Sequence, residues 1–235
     1  MKRIKITHYL QDPSCCSIAA SASIANFYNC EIDYEVAKKI TKKVTKKVSE
    51  GLESAEICIL LNKLGFHKTT LITSYLNLVD YKWVNLSKNK LIKALEISAT
   101  IKKDRDEKKS TKVVLKWLKN KSYDNNLIIS YDFGKYIREH LNKKKPLILT
   151  FNWTMFQKFS KDGAIESDPY NGTEEEHAVV ANGYDNKGVW IVDSHHQYYK
   201  YKRKKYRKGF YKISWENLMV CMGQGDVIIP DDFNE

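Results

Sequence analysis

From Ser14 to about Asn29 the chain runs Ser-Cys-Cys-Ser-Ile-Ala-Ala-Ser-Ala-Ser-Ile-Ala-Asn-Phe-Tyr-Asn, small and apolar on every side of a helical wheel. A helix with no polar face has to be buried, and its Ala and Ser residues let neighbours come close. Before it, Ile4, Ile6, His8 and Leu10 alternate as in a short strand over residues 3–10, and Gln11-Asp12-Pro13-Ser14 forms a polar turn. Ser14 or a neighbour is placed to cap the helix start. Helical spacing of apolar positions recurs over residues 34–45, 52–64 with Gly65 as the stop, 87–97, 111–120 and 132–141. Beyond Pro146 the pattern changes to short β-rich runs at 147–151, 178–184 and 189–192, separated by turn residues. The first two-thirds reads helical and the last third reads as a sheet. This predicts an α+β chain with an N-terminal helical lobe at about 11–145 and a C-terminal antiparallel sheet lobe at about 146–235. One domain over residues 1–235, with a cleft between the lobes, is the expected organisation.

Composition narrows the classes. With 235 residues, 43% of them hydrophobic, the chain can build a full core, and 10 glycines with 4 prolines are too few for a linker-rich or low-complexity protein. No stretch nears the ~20 apolar residues that span a bilayer. The start, Met1-Lys2-Arg3-Ile4-Lys5, is basic but lacks the apolar run and small-residue cleavage site of a signal peptide, so a cytoplasmic protein is expected. The five cysteines (15, 16, 30, 58, 221) are an odd set without CxxC spacing, which argues against a disulfide framework or a structural zinc. Cys30, Cys58 and Cys221 sit among apolar neighbours and are expected to be small buried side chains.

The net charge of +12 raises the question of an anionic partner. Lysine is spread over nearly every segment, and the dense runs at Lys42-Lys43 with Lys46-Lys47, at 143–145 and at 200–208 match no nucleic-acid motif. A solvated surface accounts for the charge, and nucleic acid is not the expected partner. The aromatic and basic segment 198–211 reads as a basic loop or hairpin near the cleft, suited to drawing in acidic substrate. Asp193-Ser194-His195-His196 contains metal-ligating residue types, but adjacent histidines on an extended segment point to opposite faces and no second cluster completes a site. No metal or other cofactor is expected.

Cys16 falls in the first turn of the buried helix, where unpaired amides and the helix dipole stabilise a thiolate. Gln11, a few residues earlier, offers a side-chain amide that could join the backbone N–H of the cysteine in holding an oxyanion. Later, the β runs on either side of Asp185-Asn186-Lys187-Gly188 read as a hairpin. His177 starts its first strand and Asp193 follows its second, so folding brings them to the same open end. An acid there holds an imidazole in the tautomer that accepts a thiol proton. Cys15, adjacent in sequence, is the rival nucleophile.

The order Gln, Cys, His, Asp carries a resemblance. Gln11-Asp12-Pro13-Ser14-Cys15-Cys16-Ser17-Ile18-Ala19 and His177-Ala178-Val179-Val180, followed by Gly183-Tyr184-Asp185 and Asp193, resemble the signature blocks of the bacteriocin-processing (double-glycine leader) peptidases and their stand-alone relatives, the thirty-ninth family of cysteine peptidases. Lys145-Pro146-Leu147-Ile148-Leu149 is similar to the family's proline and apolar strand before the histidine block. This chain has Ser17 where the family usually has Gly, and its Gln11 lies closer to the cysteine. With no Walker-type Gly-rich loop and no apolar span, the likeness is to stand-alone members. The resemblance implies a papain-like fold whose buried helix carries the nucleophile. It implies Cys16 as nucleophile, His177 as base, Asp193 as orienting acid and Gln11 as oxyanion donor, acting on a peptide or protein substrate. The same chemistry also serves acyl transfer to amines, as in papain-like acyltransferases and transglutaminases. A catalytically silent basic binding module is the reading from outside enzymology. The sequence does not give the oligomeric state.

Overall fold

A computed structural model of the chain describes residues 3–45, 51–157, 161–162, 166–167, 170, 174–195 and 209–233. Helix α1 (Cys16–Tyr28) buries every residue from Ser17 to Ala25, as a helix without a polar face must. Its N-cap is Cys15 rather than Ser14, and no side chain caps its first turn. Ser14 instead turns the chain with φ of 58°, in the left-handed region. The leading amides of α1 are therefore unclaimed by a cap. Cys58 and Cys221 are buried as expected, but Cys30, past the end of α1, is exposed.

Helices α2 (Tyr34–Val44) and α3 (Ser54–Lys63) cover α1. The Asp33 carboxylate accepts from the Val36 amide to start α2, and a capping box between Glu53 and Glu56 starts α3. Helices α4 (Lys88–Ile101) and α5 (Arg105–Leu118) pack together outside them. The α5 helix begins earlier than its apolar spacing suggests because Asp104 caps it, accepting from the amides of Asp106 and Glu107.

The remaining elements are β1 (Phe66–Thr73), β2 (Asn126–Ile129), α6 (Phe133–Asn142), β3 (Leu147–Asn152), α7 (Trp153–Gln157), β4 (Lys161–Asp162), β5 (Glu166–Ser167), β6 (Glu176–Asp185), β7 (Gly188–Val192), β8 (Phe210–Ser214), α8 (Trp215–Cys221) and β9 (Asp226–Phe233). Seven strands form one sheet in the order β2-β1-β9-β3-β6-β7-β8, and β4 pairs with β5 alone. Two of these strands, β1 and β2, come from the stretch that reads as helical, and they pair in parallel while the other pairs are antiparallel. The expected strand at 3–10 makes no ladder. Ile4 bonds to Asn182 and the His8 ring to the Asp193 carbonyl, but β6 already has β3 and β7 on its two sides.

Alternation along the strands divides the core. Ile148, Ala178, Val180 and Ile228 face α1, α3, α4 and α5, while Leu147, Leu149, Val179 and Ala181 face α6 and α8. Strand β9 lies between β1 and β3 and joins the two halves of the sheet. Its close approach depends on Gly225, where an added Cβ would fall 2.1 Å from the Thr150 carbonyl oxygen.

A buried ring of hydrogen bonds ties β1 to α5. The Trp117 indole donates to Thr69 Oγ1 (2.9 Å), the Thr69 hydroxyl donates to Asn125 Oδ1 (2.8 Å), and Asn125 Nδ2 donates to the Trp117 carbonyl (2.8 Å). Thr69→Val strands the indole N–H and the Asn125 oxygen in the interior. It should cost about 2–4 kcal/mol in urea unfolding. Ile97→Thr, at a side chain 62% exposed, should leave the midpoint nearly unmoved.

Candidate active site

The uncapped start of α1 meets the first residues of β6. Ala178 faces α1, and His177, one residue earlier, begins the strand at the sheet's end. There the His177 ring and Cys16 line one cleft, close enough for each to shift the titration of the other. His177 Nε2 bonds to Asp193 Oδ1 at 2.7 Å, which leaves Nδ1 as the ring nitrogen for a second partner. Asp193 follows β7, as the hairpin reading places it, and is held from several sides. The Tyr211 hydroxyl donates to Oδ2 (2.7 Å) and the His195 amide to Oδ1 (2.9 Å). Trp153 packs against the imidazole with ring centres 4.3 Å apart. His177 and Asp193 are buried, whereas Cys16 is partly open to a cleft of about 440 Å³.

Burial and pairing pull in opposite directions here. Burial alone would raise the Cys16 thiol. The His177 charge and hydrogen bond, with the amides of Ala178 and Ser17, bring it below an ordinary cysteine instead. Burial would likewise depress His177, yet Asp193 and Cys16 push it up to about 10. Asp193 is held below the usual carboxylate range against its burial, chiefly by His177. Both shifts favour the charged forms, a thiolate on Cys16 and an imidazolium on His177.

Gln11 lines the same cleft. Its backbone N–H donates to the Ser194 carbonyl (3.1 Å), and the Ser194 hydroxyl donates to its Oε1 (2.8 Å). The carbonyl end of the amide is thereby held, leaving the NH₂ for the cleft. The turn carrying Gln11 is pinned by the Tyr34 hydroxyl accepting from the Asp12 amide (3.1 Å) and by the Asp12–Lys38 ion pair. Cys15 is 4% exposed, lies by Tyr34 rather than His177, and has its thiol pushed up by burial.

Sequence reasoning missed Tyr211, Trp153 and Ser194 as supports. Tyr211 was legible as the inward member of an alternating run, Phe210-Tyr211-Lys212-Ile213, which forms β8 against β7. It also missed Glu53, Glu56, Glu175 and Glu176, which line the cleft. Among the described residues no three His, Cys, Asp or Glu side chains gather to hold a metal, and no helix is long and apolar enough to cross a membrane. His196, Lys46-Lys47 and the run 200–208 lie outside the described residues.

The profile of a family described as "Peptidase_C39 like family" matches residues 3–219. Comparisons with curated proteins and with solved structures return no match.

Iodoacetamide should label Cys16 rapidly well below pH 8, with Cys15 nearly inert, when sites are mapped by mass spectrometry. His177→Ala removes the charge that lowers the thiol and leaves the burial that raises it. Labelling of Cys16 should then need a pH above that of an ordinary cysteine.

Proposed function

The chain belongs to the Peptidase_C39 like family, and we propose that it is a papain-like cysteine peptidase that cleaves peptide bonds through a thioester on Cys16. The observation that carries this reading is the grouping of Cys16, His177 and Asp193 from a helix start and two strand ends, in which Asp193 bonds the His177 ring and His177 brings the Cys16 thiol down.

In the first half-reaction the Cys16 thiolate attacks the scissile carbonyl carbon. The oxyanion is held by the Gln11 NH₂ and the Cys16 backbone N–H. As the C–N bond breaks, the His177 imidazolium gives its proton to the leaving amine. In the second, His177 takes a proton from water, the hydroxide attacks the thioester carbonyl, and the C–S bond breaks to return the thiolate and release the acid. Asp193 keeps the imidazole oriented and favours its charged form throughout. No cofactor enters the reaction. Residues 1–235 act as one peptidase domain, since helices on both sides share one sheet.

Hydrolysis of an unfolded protein or a quenched-fluorescence peptide tests the assignment. Cys16→Ala should remove activity, His177→Ala should lower it about a thousandfold or more, and Cys15→Ala should retain it. Gln11→Ala should lower kcat about a hundredfold with little change in KM.

The pH profile supplies a separate check. His177 must carry its proton to the leaving amine, so activity should fall as pH rises through about 10, and on the acid side as the thiolate is protonated. Asp193→Asn removes the anion that raises His177. The alkaline limb should then move to lower pH.

A further inference from the structure

The charge of the cleft runs against the charge of the chain. The protein carries +12, yet Glu53, Glu56, Glu175 and Glu176 line the cleft beside Cys16, faced by Lys109. Strand alternation explains part of this. Glu176 and Asp226 fall on the helix-facing side of the sheet with Ala178 and Ile228, just where the start of α3 brings Glu53 and Glu56. Lys109 approaches Glu53 to 3.5 Å, but both are partly exposed, so the pair is screened by water. Burial, then Asp226, Glu174 and Glu53, push the Glu176 carboxyl up to about 7. These carboxylates crowd one another more than they are neutralised.

Unsatisfied polar atoms at the same place give an independent indication of a ligand. Ser17 lines the cleft, is 2% exposed, and its hydroxyl has no hydrogen-bond partner among the described residues. Asp226, 8% exposed, pairs with Thr150 of the cleft wall, and its Oδ1 has no hydrogen-bond partner among the described residues although Ser54 and Thr73 lie close enough to hold its carboxyl down against burial. Buried polar atoms are nearly always paired, so a cleft that leaves the Ser17 hydroxyl open is shaped for a polar guest. The absence of a three-ligand cluster among the described residues disfavours a metal ion and favours a cation on a flexible stem.

We propose that the cleft beside Cys16 binds a basic side chain, lysine or arginine, of the peptide substrate, with Glu53 and Glu176 as counter-charges and the Ser17 hydroxyl as a further acceptor. This rests on the cleft being the peptide-binding site. It also reverses the expectation, drawn from the basic segment 198–211, that acidic substrates are attracted.

Charged thiol reagents read the local field at Cys16 without requiring peptide cleavage. Methanethiosulfonates bearing a trimethylammonium or a sulfonate group are compared with the neutral methyl reagent, with modification of Cys16 mapped by mass spectrometry. The cationic reagent should be favoured over the anionic one by about tenfold once the neutral rate is divided out. Glu53→Gln/Glu176→Gln should reduce that preference at least about fivefold, and Lys109→Met should increase it. A lysine-containing peptide should protect Cys16 from the neutral reagent at lower concentration than its glutamate counterpart. Equal or faster modification by the anionic reagent, a preference unchanged in the variants, or equal protection by the two peptides overturns the proposal. Because hydrolysis is measured separately, a cleft that keeps its charge preference without cleaving peptides removes only the peptidase reading. Cleavage with no preference for basic residues removes only the basic subsite.

Discussion

The packing of α1 against β6 is the constraint on which the site depends. A helix with Ser17 to Ala25 all buried has no surface to give to water, so α2 and α3 cover it on one side and the sheet on the other. Held in that position, its N-terminus cannot choose its surroundings. It opens at the end of the sheet where Glu176 and His177 start β6, and with no capping side chain there the Ser17 amide helps to bring the Cys16 thiol down. The same burial that would silence a cysteine is what brings this one against an imidazole.

Two buried aspartates show how far environment decides what a carboxylate does. Asp193 meets the His177 ring, the Tyr211 hydroxyl and the His195 amide, and stays ionised. Asp226 has Ser54 and Thr73 within reach but no cation, and burial pushes it up to about 6. The first can orient an imidazolium. The second adds to the negative field under the cleft floor and carries part of its charge only when the pH allows.

The features legible in the sequence share one trait, that their signal is local. The helix of α1 shows itself by having no polar side, and the hairpin by Asp185 to Gly188, where Asp185 accepts from the Lys187 and Gly188 amides. Placing His177 and Asp193 together followed from counting along that hairpin. What escaped depends on distant partners. Strand β1 is buried from Thr69 to Thr73, with threonines satisfied across the core, so it lacks the polar alternation that marks a half-exposed strand. Residues 3–10 alternate as a strand should, but the strand they meet, β6, is already paired on both sides. Cys15 and Cys16 are neighbours with the same composition around them, and only the direction of the first helical turn sets one toward His177 and the other toward Tyr34. The acidic lining draws on α3 and β6, more than a hundred residues apart, and no window along the chain contains both.

Strand β9 (Asp226–Phe233) lies between β1 and β3 although it follows every other strand in the chain. On a ribosome, the segment bearing Cys16 emerges early, while the strand that closes the sheet comes last. Until it arrives, the β2-β1 pair and the β3-β6-β7-β8 group have no common neighbour. Long-range closure of this kind is slow compared with helix formation. Closure of the sheet, and with it the completion of the core on both its faces, therefore waits on the segment that begins at Asp226.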